Sequence, residues 1–125
     1  VNVFILEDDP SNYRIPLFQE KLQNHTLYIA KDVEQGKKTL EYILKEGIHI
    51  DFIFLDHDLG GRVYVSSDDS NVGTRIAEFL QAHEEFNNTK VYFHTQNRVG
   101  AQAMQVILPK GIIYPFPELI QNLSG

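Results

Sequence analysis

Short apolar runs alternate with longer amphipathic stretches along the whole chain. Val3-Phe4-Ile5-Leu6, Thr26-Leu27-Tyr28-Ile29-Ala30, Phe52-Ile53-Phe54-Leu55, Val91-Tyr92-Phe93 and Gly111-Ile112-Ile113-Tyr114 have the length and β-rich content of strands. The third run is continuous in apolar residues, which predicts a strand covered on both faces. Helices are expected between them. One follows Asp9-Pro10 and runs to about Gln23, with Pro16 favouring a main start there after a turn. A second begins behind an Asp32 N-cap, carries Val33, Leu40, Ile43 and Leu44 on one stripe, and stops at Gly47. Others are expected over residues 74–86 and 99–108, with a short last one over 117–123. Residues 60–73, rich in Ser and Asp, form a long polar loop and a candidate lid.

Strands alternating with helices imply parallel pairing through right-handed crossovers. Five such units in 125 residues suit a single domain (1–125), an open three-layer α/β/α sandwich on a five-stranded parallel sheet. That length excludes an eight-stranded barrel. The chain has no cysteine, which removes disulfides, thiolate metal sites and a cysteine nucleophile. Its net charge of −6 argues against duplex nucleic acid but leaves room for a small nucleotide or an RNA end. No run reaches the length of a membrane span and no basic leader precedes the first strand, so no membrane partner is expected and the cytoplasm is the expected address.

Open α/β sheets place their ligands beyond the carboxyl ends of the strands. The first strand ends in Glu7-Asp8-Asp9, the third in Asp56-His57-Asp58-Leu59-Gly60-Gly61 and the fourth in His94-Thr95-Gln96-Asn97. Acids gathered at one edge repel unless protons or a cation intervene. Glu7, Asp8, Asp56 and Asp58 are therefore candidate ligands for a hard divalent ion, Mg2+ above all, or Mn2+. An exposed acidic turn would account for the same acids, and Asp9 before Pro10 could simply cap a turn. His94 and His57 are candidate proton-transfer groups beside Asp56. His25, His49 and His83 lack such a setting. Thr95, Gln96, Asn97 and Arg98 open a helix whose amides and guanidinium could hold a phosphate, although capping alone would explain Asn97. Arg62 is a weaker phosphate candidate, and Tyr64 could stack on a base. The phosphate-loop, serine-elbow and paired-histidine zinc motifs are absent.

These strand ends resemble the receiver domains of two-component signalling. Phe4 to Pro10 resembles their first strand with its acidic pair, Asp56 falls at the phosphoacceptor position, and Thr95 falls where receivers keep a hydroxyl. Tyr114-Pro115-Phe116 stands where receivers have lysine-proline-phenylalanine. The resemblance implies the flavodoxin-like strand order 2-1-3-4-5, and the missing lysine puts ordinary phosphosignalling in doubt. Asp56-His57-Asp58-Leu59 and His94-Thr95-Gln96-Asn97 are similar to the marks of a divergent group, the cyclic-phosphate processing receiver domains. That likeness implies a metal-dependent phosphoesterase acting on a cyclic phosphate of a nucleotide or RNA end. Glu7, Asp8 and Asp56 would hold the cation with Asp58 near it. His94 would act as general acid or base, and His57 would share that work or be oriented by Asp58. Direct attack by water and an aspartyl-phosphate at Asp56 both stay open. The other function class is a signalling or binding module, phosphorylated at Asp56 or not, that acts through a protein partner.

Overall fold

The computed structural model describes residues 1–61 and 65–123. The expected positions of Arg62 and Tyr64 lie outside the described residues. The strands are β1 (Asn2–Leu6), β2 (Thr26–Ala30), β3 (Phe52–Leu55), β4 (Lys90–Phe93) and β5 (Ile112–Ile113). All pair in parallel, in the order β2-β1-β3-β4-β5. The helices are α1 (Arg14–Lys21), α2 (Val33–Lys45), α3 (Gly73–Gln81), α4 (Arg98–Ile107) and α5 (Phe116–Asn122). This is the expected five-stranded α/β/α sandwich. No helix among the described residues is long and apolar enough to cross a membrane.

Period-two alternation sorts the strand side chains into two cores. Phe4, Leu6, Ile53, Leu55, Val91 and Phe93 face α2, α3 and α4, where Leu40, Ile43, Ile76, Leu80 and Met104 meet them. Val3, Ile5 and Phe54 face the other way, onto Phe18 of α1 and Phe116 and Leu119 of α5. Both faces of β3 are thus covered, as its unbroken apolar run requires.

Local chemistry fixes the helix ends. The Asp9 carboxylate accepts hydrogen bonds from the amides of Tyr13, Arg14 and Ile15 at 3.1, 2.9 and 2.9 Å, so α1 begins at Arg14, two residues before Pro16. Pro16 remains in the first turn, where a missing amide hydrogen costs nothing. Asp32 caps α2 through the Gln35 amide at 2.8 Å. The amides of Gly47 and Ile48 return to the carbonyls of Leu44 and Ile43, closing that helix as expected. The expected helix over 74–86 is interrupted. The His83 ring bonds the Phe79 carbonyl at 2.7 Å and stacks on the Phe79 ring, which closes α3 early and leaves Glu84–Phe86 as a separate 3₁₀ turn. The fifth strand is shorter than expected, although the Tyr114 and Phe116 amides still bond the carbonyls of Phe93 and His94.

Gly100, in the first turn of α4, packs its bare Cα on the His57 ring: a Cβ there would lie 2.4 Å from a ring carbon. Gly100→Ala should therefore cost about 1–3 kcal/mol, measured by urea unfolding. Val106→Ala, on the exposed face of the same helix, should stay within about 0.5 kcal/mol of the parent. Equal effects would deny that α4 rests on this histidine.

Candidate functional site

The site follows from strand register. Leu6 pairs with Leu55, and Leu55 with Phe93, across β1, β3 and β4. The next residue on each strand is Glu7, Asp56 and His94, and the ladder continues through them: the Asp56 amide bonds Leu6 and the His94 amide bonds Leu55. Alternation turns all three side chains to the α1/α5 face. Each is nearly fully buried. One donor atom from each lies within 4.8 Å of the others.

Each charge has specific partners. Glu7 Oε1 accepts from His94 Nε2 at 2.9 Å and lies 3.4 Å from Arg14 Nη1, while Oε2 accepts the Asp9 amide at 2.9 Å. Burial alone would raise the Glu7 carboxyl. Its bond to His94, that ring's charge, the Asp9 amide and Arg14 outweigh burial and hold it at about 2. Among the described residues Asp56 Oδ1 accepts only the neighbouring His57 amide, and Oδ2 stands 4.0 Å from Arg14. For Asp56 burial dominates, with the Glu7 charge adding to it, and the carboxyl is pushed up to about 7 against the pull of His94 and Arg14. Two neighbouring acids thus carry separate roles, a permanent anion and a group poised to take or lose a proton.

A cleft of about 240 Å³ opens above this row, lined by Glu7, Asp8, Arg14, Asp56, Asp58 and Thr95 to Asn97, among others. Asp8 is half-buried there and its carboxyl is raised, chiefly by burial. Its carboxylate takes the Gly61 amide at 2.6 Å, and Gly60 and Gly61 both have positive φ, a turn that a side chain would strain. Asn97 caps α4 through the Gly100 amide and donates to Asp58 at 3.1 Å, so capping and site duties coincide. The Thr95 hydroxyl accepts the Asn97 amide. Arg98 is exposed and outside the cleft lining.

His57 takes the opposite face of the sheet, because it is one residue past Asp56. Its ring is buried against Gly100, with Nδ1 bonded to Asp58 at 2.8 Å and Nε2 to the Ser67 hydroxyl at 3.0 Å. It ties the 60–73 loop to the end of β3 and does not line the cleft. None of the described loop residues 65–73 lines the cleft either; among the described residues the loop joins cleft-lining acids through Gly61, whose amide bonds Asp8, and Val65, whose amide bonds Asp58. His25 lies against the chain's amino group, and His49 pairs with Asp51.

Arg14 is the residue the sequence reading missed. Its guanidinium spans Glu7, Asp56 and Gln96 and lies over the Phe116 ring at 4.6 Å. Tyr114, at the receiver lysine position, instead packs with Tyr92 among the apolar residues. A signal did exist: buried acids need a cation, β5 offers none, and Arg14 is the first basic residue after the acids of β1.

The family model for the cyclic-phosphate processing receiver domain matches residues 3–110. The chain belongs to this family. No curated protein matches it. Among solved structures it is similar to the Mn2+-bound form of the response regulator Rcp1, at 17% identity and a TM-score of 0.65, covering 99% of this chain and 89% of that one. It is also similar to the phosphorylated cyanobacterial phytochrome response regulator RcpA, at 20% identity and 0.66, with 99% and 89% covered. The receiver domain of a DNA-binding response regulator from Colwellia psychrerythraea 34H follows at 14% and 0.63, with 96% and 92% covered. These likenesses establish the receiver fold.

The residues of this receiver-like domain fit a divalent ion. Two buried carboxylates and an imidazole converge, and among the described residues Arg14, at 4.0 Å, is the one arginine or lysine paired with the Asp56 carboxyl.

The raised Asp56 has a consequence for stability. Between its ordinary 3.8 and about 7 the folded domain holds a proton that the unfolded chain releases. That contribution favours folding at low pH and is lost as pH rises through 7. Glu7 has the opposite sign: its contribution is present above 4.5 and lost as pH falls toward about 2. Asp56→Asn should therefore raise metal-free stability at pH 8 by about 1–3 kcal/mol, with the gain shrinking toward pH 4. Urea melts across that range check it; a pH-independent difference would contradict a burdened carboxylate.

Proposed function

We propose that this domain is a metal-dependent phosphoesterase acting on a cyclic phosphate, carried by a small nucleotide or an RNA end. The supporting observation is the placement of the His94 imidazole in one row with the two buried acids. Receiver chemistry needs the acids; the imidazole adds a group that can pass a proton to an ester oxygen. Opening a cyclic phosphodiester adds a nucleophile to phosphorus and breaks one ring P–O bond, whose oxygen leaves with a proton.

Because Glu7 is held as an anion, the nitrogen facing it carries the hydrogen, so His94 Nε2 donates to Glu7. Glu7 thereby orients the ring. Glu7 and Asp56 would hold the ion, with Asp8 and Asp58 at its margin, and His94 Nδ1, which has no hydrogen-bond partner among the described residues, would exchange the proton. When bound, the ion supplies charge neutralisation for the phosphoryl oxygens. Thr95, Gln96 and Asn97 line the cleft where those oxygens would rest. Arg98 would reach only a longer ligand that extends beyond it. His57 positions Asp58 and the loop without touching the phosphate.

A second reading has its own support: Asp56 stands at the phosphoacceptor place, and the fold is shared with the phosphorylated form of RcpA. In that reading Asp56 takes a phosphoryl group and a protein partner reads the result.

The deciding experiment offers 2′,3′-cyclic nucleotides with Mn2+ or Mg2+ and follows ring opening by phosphorus NMR. Turnover by the parent should fall by roughly 10²–10⁴ in His94→Gln, with the unfolding temperature little changed. No turnover, together with a stable adduct at Asp56 after acetyl phosphate or beryllofluoride, would select the signalling reading.

A further inference from the structure

The bonds of Arg14 are uneven. Nη2 holds Gln96 Oε1 at 2.7 Å, a short hydrogen bond, and the guanidinium carbon lies 4.6 Å from the centre of the Phe116 ring. Its contacts with the acids are loose, 3.4 Å to Glu7 and 4.0 Å to Asp56. The two anchors are uncharged: Gln96 lines the cleft from the β4–α4 turn, and Phe116 stands behind it at the start of α5. The two loose contacts are the carboxylates a divalent ion would need.

A divalent ion and a guanidinium cannot crowd the same two carboxylates without repulsion. Neither anchor need break for the charged group to turn away from the acids. The planar fork has five donors, and those released from the acids match the oxygens of a phosphate.

We propose that Arg14 is the exchangeable counter-cation of this site. It neutralises Glu7 and Asp56 while no divalent ion is present, and it transfers its hydrogen bonds to a phosphate oxygen of the ligand once an ion binds. This rests on the metal-dependent reading above and adds to it a phosphate-binding residue and an order of events. The ion loads first and releases Arg14, and the anion then finds both charges. The lysine absent from β5 is thereby replaced from α1.

The test uses Mn2+ and inorganic phosphate as probes, at pH 8 so that Asp56 is ionised. Free Mn2+ is counted by its paramagnetic resonance signal, and phosphate binding to the Mn2+-loaded domain is measured by calorimetry. Arg14→Gln should bind Mn2+ at least about tenfold more tightly than the parent, and its loaded form should bind phosphate at least about tenfold more weakly. Arg14→Lys keeps the charge and loses the fork. It should leave Mn2+ affinity near the parent value and restore phosphate binding only in part. A folded Arg14→Gln domain with unchanged or weaker Mn2+ affinity overturns the exchange, and so does unchanged phosphate binding. If the parent itself binds no Mn2+ at millimolar concentration, the metal-dependent reading falls instead, so the two failures are distinguishable.

Discussion

Three adjacent strand ends bury two carboxylates and an imidazole in one row, and the rest of the site exists to make that tolerable. Taking like charges out of water is costly unless partners replace the lost hydration. Glu7 receives them in full from His94, the Asp9 amide and Arg14. Asp56 receives one amide and a distant guanidinium. The difference appears in the two carboxyls, one held at about 2 and the other pushed up to about 7. Among the described residues Asp56 is thus the less compensated of the two buried acids.

The same pleat that builds the row splits the neighbouring motif. Asp56, His57 and Asp58 are consecutive, so they cannot all face one ligand. Asp56 faces α1 and α5, where Phe18 and Phe116 enclose His94. His57 goes to the other layer and supports α4 through Gly100. Asp58, beyond the strand, rejoins the cleft margin and is held by His57 and Asn97. The motif is therefore one cleft acid, one strut and one joint. The joint couples the loop and the α4 N-terminus to the position of the cleft wall.

Period and strand-end rules made much of this legible beforehand. The five strands, the Asp32 cap and the Gly47 stop are local signals, the strand order was implied by the resemblance to receiver domains, and each held. Glu7, Asp56 and His94 were found because strand ends concentrate ligands. Their exact register was not written in the sequence, since it depends on how β1, β3 and β4 slide against one another. Arg14 was missed because its spacing in a short amphipathic helix looks like that of any solvated arginine. Only Asp9, by starting the helix two residues before the proline, swings it over the acids. The two histidines look alike in sequence and differ in role, because the parity of a residue relative to its strand decides its face.

Moving the cation from β5 to α1 changes where a charge at Asp56 is felt. A lysine on the fifth strand would carry that charge along the sheet edge toward α5. Here β5 is two residues long, and Tyr114 beside it is engaged with Tyr92 in an apolar cluster. Arg14 connects instead to the first turn of α1, through Asp9, and to the β4–α4 turn, through Gln96. Any ligand that alters the charge beside Asp56 acts next to those two turns, because they hold the one guanidinium among the described cleft-lining residues.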